Sequence, residues 1–196
     1  MDELEKLNAT ITSEADKILQ DHGLLAVLSK YGNPVVVGSY VLGLMTWRDL
    51  DISLETNEMT EARFFKLGRE IALCLKPRRM QYRNEFVGKT PDLPTGYYWG
   101  IDTGSLESPD AWNIDIWALD SQEMELRQKE FDDLRSRISI DDRPAILTIK
   151  HHFCQHSEYR RAFTSVDIYH AVLEEGIRTV KEFSQWLEDK KGISYR

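Results

Sequence analysis

Apolar side chains at Leu4, Leu7, Ile11, Ala15, Ile18, Leu19, Leu25 and Leu28 recur with the helical period, broken at Asp21-His22-Gly23. This spacing predicts one or two amphipathic helices over residues 4–31. Gly32-Asn33-Pro34 is a turn, because Pro34 cannot continue a helix. The β-branched run Val35-Val36-Val37 follows and stops at Gly38-Ser39, which predicts a central strand covered on both faces. Residues 40–46 contain only Gly43 as a breaker and can make two helical turns. From Asp49 to Glu55 polar and apolar side chains alternate, the mark of a half-buried strand with Asp49 and Asp51 on one face. Residues 60–75 read as a helix with Thr60 as its N-cap and Pro77 beyond its end.

Three runs rich in Tyr, Trp, Phe, Ile and Val, at 80–87, 96–103 and 112–119, are separated by Pro-, Gly- and Asp-containing turns and read as strands, the last two joined by a turn at 104–110. Helical periodicity then takes over at 121–137, 144–156, 165–174 and 180–190, with Asp141 or Asp142 ahead of Pro144 as a start signal and Gly176 and Gly192 as stops. The expected class is α+β: a mixed β-sheet flanked by helices over residues 1–120, followed by a C-terminal helical bundle over 121–196.

Composition narrows the function. The 196 residues include 33 acidic and 25 basic side chains, a net charge of −8, and 41% are apolar. Such a chain is neither disordered nor membranous. The acidic balance disfavours a nucleic-acid polymer or an anionic lipid surface, which are held by clustered Lys and Arg. A small phosphorylated ligand remains compatible if a divalent cation accompanies it. The start, Met1-Asp2-Glu3-Leu4-Glu5-Lys6, has no signal-peptide character, and no stretch suits a membrane span. Cys74 and Cys154 lack metal-ligand spacing and read as reduced thiols, so a cytoplasmic protein is expected.

The chemistry concentrates between Val35 and Ile52. A strand ends in the small residues Gly38-Ser39, a short helix follows, and the next strand opens on Asp49-Leu50-Asp51. Two carboxylates side by side repel unless a cation lies between them, and hard oxygen donors of this kind suit Mg²⁺. In Trp112-Asn113-Ile114-Asp115-Ile116-Trp117, Asp115 faces away from Ile114 and Ile116. Beside the Asp49 strand it becomes a third carboxylate, and three carboxylates can hold two metals about 3.5–4 Å apart for in-line phosphoryl transfer. Gly38 and Ser39 stand where phosphate oxygens can meet backbone N–H groups and the Ser39 hydroxyl.

An apolar strand, Gly38-Ser39, Gly43, then Asp49 and Asp51, and Asp115 on a later strand together resemble the nucleotidyltransferase superfamily related to DNA polymerase β. The size and trailing helices are similar to small bacterial members: lincosamide and aminoglycoside nucleotidyltransferases and minimal antitoxin-type enzymes. The resemblance implies an NTP and a small-molecule hydroxyl acceptor as substrates and two Mg²⁺ ions. It assigns Asp49 and Asp51 to both metals, Asp115 to the acceptor-side metal or to general base catalysis, and Ser39 to the nucleotide phosphates. Val41 stands where alanine is common and Arg48 where serine often precedes the first aspartate. Arg48 is therefore expected beside the carboxylates, pairing with Asp49 or touching a phosphate. The alternative role is an antitoxin or adaptor that grips a protein partner, and a homodimer is also compatible.

Other features carry weaker signals. Lys150 reaches the triphosphate if the helical part folds over the sheet, but a solvated lysine would look the same. His152 and His156 are four apart on a helix without a zincin glutamate, which suits a surface role. Lys76, Arg78, Arg79 and Arg83 are scattered around a helix end and a strand start and are expected to be solvated. Tyr97, Tyr98 and Trp99 cannot all face one side of a strand, so at least one faces solvent or a pocket. Trp112 and Trp117 read as packing residues.

Overall fold

A computed structural model describes residues 2–104 and 111–194. Most of the expected turn at 104–110 lies outside the described residues. The chain opens with α1 (Glu3–Asp16), which runs into a π-helical turn at Lys17–Asp21, and with α2 (Leu24–Leu28) after the left-handed Gly23. Then come β1 (Asn33–Val37), α3 (Gly38–Leu42), β2 (Asp49–Glu55), α4 (Glu61–Leu75), β3 (Arg79–Asn84), α5 (Glu85–Gly88), β4 (Tyr97–Asp102) and β5 (Asn113–Leu119). Helices α6 (Ser121–Arg137), α7 (Arg143–Phe153), α8 (Ser165–Glu175) and α9 (Val180–Lys191) complete it.

The strands form one mixed sheet in the order β1-β2-β5-β4-β3, antiparallel except for the parallel pair β2–β5. Alternation along the two middle strands divides the faces. Leu50, Ile52 and Leu54 of β2 join Ile114, Ile116 and Ala118 of β5 in a core with α1, α2 and α4, all six nearly or fully buried. Phe64 of α4 stacks on Tyr97 and Trp99 at ring separations of 5.4 and 5.7 Å. A second core, built from Ile146, Phe153, Phe163, Tyr169 and Phe183, joins α7, α8 and α9 and takes in Leu44 from the loop after α3.

Three expectations are corrected. The valine run is an edge strand instead of a central one: among the described residues β1 pairs only with β2, and its three valines are half-buried. Pro34 fits there, since an edge strand has one side that needs no donor. The third strand stops at Asn84, where α5 replaces its last residues. The helix after β1 begins at Gly38 and ends at Leu42, with Gly43 as its left-handed cap at φ +65°, two residues earlier at its start than expected. Several cap signals hold. Thr60 accepts from the Arg63 N–H as the cap of α4, and Gly176 and Gly192 close α8 and α9 in the left-handed conformation.

Candidate active site

Parallel pairing sets Asp51 of β2 directly opposite Asp115 of β5, with Asp49 two residues away on the same face. The three carboxylates thus form a row on the sheet face opposite the main core. The neighbouring strands shape its ends. On β4, Gly100 pairs with Asp115, and Tyr98, two residues along, turns its hydroxyl to donate to Asp115 Oδ1 at 2.7 Å. On the other side Val37 pairs with Asp51 and hands the chain to Gly38, whose φ is +69°. A Cβ at Gly38 would collide with Oδ2 of Asp51, so glycine is required both for the turn and for the close approach.

The row is electrostatically tense. Burial first, then Asp49 and Asp115, push the Asp51 carboxyl up to about 8. Burial also raises Asp49, while the Arg160 guanidinium pulls it back. Among the described residues no side-chain hydrogen bond reaches the Asp51 carboxylate. The cation at the row comes from the segment between α7 and α8: Arg160 donates from one terminal nitrogen to Asp49 Oδ1 at 3.4 Å and from the other to Asp115 Oδ2 at 3.2 Å.

The other sequence candidates divide. Ser39 sits beside the row at the start of α3, and its hydroxyl accepts from Lys150 Nζ at 2.6 Å. Lys150 is fully buried, and its ammonium also donates to the Leu44 carbonyl at 2.8 Å and to the Tyr169 hydroxyl at 2.9 Å. All three of its N–H groups are taken by protein oxygens. The same ammonium lies 4.9 Å above the Trp47 ring, a cation–π contact. Lys150 therefore does reach the Ser39 end of the site, as an enclosed pin between sheet and helices. Arg48, expected beside the carboxylates, is corrected: it turns toward α1 and grips Glu14 with two hydrogen bonds of 2.6 and 2.9 Å. Arg48 lies in the bend before β2, outside the strand's alternation, and its side chain goes to α1.

Two cavities flank the row. One of about 180 Å³ is polar and lies beside Asp115, lined by Arg79, Gln81, Tyr98, Asn113 and Arg160. The other, about 270 Å³, lies beside Asp51 and Gly38 and is lined by Ser53, Trp117, Met124 and Phe131. A larger trough of about 480 Å³ between α6 and α8 contains none of the row's residues. Trp117, expected to pack, instead floors the second cavity and stacks at a tilt on Tyr98 at 4.9 Å. Sequence reasoning missed Arg160, Trp47 and Tyr169. Arg160-Arg161 lies in a segment without periodicity or motif, so no sequence signal marked it.

The donor set suits a hard divalent cation, because it offers carboxylate oxygens from two paired strands, and a cationic side chain already bridges two of them. As the side chains stand, no group of three or more His, Cys, Asp or Glu residues among those described is closed around one ion position.

No protein-family model matches the chain, and no curated protein matches its sequence. Solved structures do match its fold. A structure of Cid1, described as having RNA terminal uridylyl transferase activity, is 14% identical with a TM-score of 0.55, the match covering 84% of this chain and 48% of that one. A structure of Cid1 poly(U) polymerase with MgGTP bound is 13% identical with a TM-score of 0.53, covering 87% of this chain and 55% of that one. The chain therefore spans about half the length of the structures it matches. The likeness is one of fold, a mixed five-stranded sheet flanked by helices.

Proposed function

We propose that the protein transfers a nucleoside monophosphate from an NTP to a hydroxyl of a small-molecule acceptor. The observation that carries this reading is the carboxylate row, Asp49, Asp51 and Asp115 in register on one face beside Gly38-Ser39. The acceptor oxygen bonds to the α-phosphorus, the bond from that phosphorus to the bridging oxygen breaks, and pyrophosphate leaves with the electron pair. In this reading Asp115 takes the acceptor's proton, supported by the Tyr98 hydroxyl that donates to it. Asp49 and Asp51, with Asp115, would hold two Mg²⁺ ions, which when bound neutralise charge on the phosphates and lower the pKa of the attacking hydroxyl. Gly38 leaves room for phosphate at the end of the row, and Ser39 offers its hydroxyl. In this reading the 1–120 part carries the chemistry, and α7 closes over Ser39 through Lys150. Most of the rate enhancement comes from positioning and charge neutralisation.

A compact acceptor is supported by the two cavities of about 180 and 270 Å³ and by the net charge of −8. Arg127, at the apolar cavity, is held by Glu123 at 2.9 Å and Glu130 at 3.4 Å, so that wall offers no track for a polymer backbone. The test is calorimetry with ATP, GTP, CTP and UTP, each with and without Mg²⁺, followed by release of labelled pyrophosphate with a panel of hydroxylated acceptors. Mg²⁺-dependent binding of at least one NTP is expected. Absence of metal-dependent binding for all four would overturn the reading in favour of a partner-binding protein.

A further inference from the structure

Arg160 stands at the bend of the segment joining α7 to α8, in a left-handed backbone conformation with φ +64° that L side chains rarely adopt. The bend is fastened on both sides. The Arg160 N–H donates to the Phe163 carbonyl at 2.8 Å, and Phe163 is buried in the helical core. Tyr159 shares a 2.6 Å hydrogen bond with Ser165 and meets the Trp47 ring edge-on at 5.1 Å. Against this fixed base the guanidinium is nearly half exposed and spans two strands, touching Asp49 at 3.4 Å and Asp115 at 3.2 Å. Both contacts are longer than the 2.7–2.9 Å usual for charge-assisted N–H···O bonds. The cation at the row is anchored at its backbone and loosely seated at its head.

Two cations cannot use the same carboxylate oxygens at once. Like charges this close need a counter-ion when no metal is bound, and a divalent ion held by Asp49 and Asp115 would claim the oxygens that Arg160 now uses. The other cation acting on the row, Lys150, has all three donors committed elsewhere, so it cannot exchange places with an incoming ion without breaking its own cage.

We propose that Arg160 is a displaceable resident counter-ion: it occupies the row in the metal-free protein and must leave before a divalent cation binds. The inference rests on the row being a cation site, as argued above for its function. Arg160 makes bare metal bind weakly. A nucleotide relieves that competition, because the expelled guanidinium, tethered at the mouth of the polar cavity, finds phosphate oxygens to grip in place of the carboxylates. Metal and nucleotide thus favour one another's binding through one side chain.

Mn²⁺ serves as the probe, titrated by electron paramagnetic resonance into wild type, Arg160→Ala and Arg160→Lys, with and without a nonhydrolysable NTP. Arg161→Ala controls for loss of a nearby positive charge. Without nucleotide, Arg160→Ala is expected to bind Mn²⁺ about tenfold or more tightly than wild type, and Arg161→Ala within about twofold of it. The nucleotide should raise Mn²⁺ affinity more in wild type than in Arg160→Ala. The metal-free Arg160→Ala protein should melt lower than wild type and recover on adding Mn²⁺, which shows that it folds. Equal Mn²⁺ affinity in wild type and Arg160→Ala would overturn the displacement while leaving the row as a cation site. Failure of both proteins to bind Mn²⁺ would overturn the row itself, and the proposal with it.

Discussion

Two enclosed charges lie close together in this molecule, and they are treated oppositely. Lys150 has three donors and three oxygens to receive them, at 2.6, 2.8 and 2.9 Å. The carboxylate row has acceptors in excess: two long contacts from Arg160 and one hydrogen bond from Tyr98, with none on the Asp51 carboxylate among the described residues. A satisfied buried charge has nothing left to offer a ligand, so it fixes geometry. An unsatisfied group of like charges keeps a standing affinity for a cation, and there binding energy can be spent on chemistry. The pin lies between helices that must stay together, and the tense row lies on the sheet face with cavities on both sides.

Substitutions can break this contrast in order of size. Asp51→Asn should lower nucleotidyl transfer on the order of 10³-fold or more while circular dichroism shows the fold intact, because it removes a charge from the middle of the row and nearly no volume. Full activity in that variant would move the chemistry elsewhere. Lys150→Met should destabilise the protein by about 3 kcal/mol in urea denaturation, since it leaves the Ser39 hydroxyl, the Leu44 carbonyl and the Tyr169 hydroxyl short of a buried donor. A loss below about 1 kcal/mol would mean that the cage is open to water.

A titration sharpens the same point. Burial and its neighbours raise Asp51 to about 8 in the folded protein, whereas an unfolded aspartate titrates near 4. The folded state therefore holds that proton more tightly. The stability Asp51 contributes is fully present below pH ~4, is lost as pH rises, and is gone above about 8. With EDTA present, wild type should lose more stability than Asp51→Asn between pH 5.5 and 8.5. Parallel curves for the two proteins would show that the row is not tense. The smallest effect belongs to neither charge. Thr179→Ala breaks the capping box that Thr179 and Glu182 form on α9, and should cost about 1 kcal/mol with transfer rate unchanged.

Local order was legible where one physical signal dominated. Alternation along Asp49–Glu55 and around Asp115 identified both strands and the face of each carboxylate, because a strand's period leaves no choice. The caps at Thr60, Gly176 and Gly192 were legible for the same local reason. The valine run misled: apolarity implied a doubly covered strand, yet burial of a side chain does not say whether the backbone beside it has one partner or two. Arg48 was adjacent in sequence to Asp49 yet turns to Glu14, while Arg160, 45 residues from Asp115 and 111 from Asp49, sits on the row.

The amino-acid sequence by itself determined most of the element types, the α+β class and the face of each of the three carboxylates, since each depends on periodicity or on residue chemistry within a few positions. Tertiary structure decided the rest. Strand order and parallel register set Asp51 against Asp115, folding of the helices over α3 enclosed Lys150 at Ser39, and a bend between α7 and α8 brought Arg160 to the row. These are juxtapositions across long separations, set by how the sheet and the helical core pack together, and no local pattern of hydrophobic and polar residues encodes them.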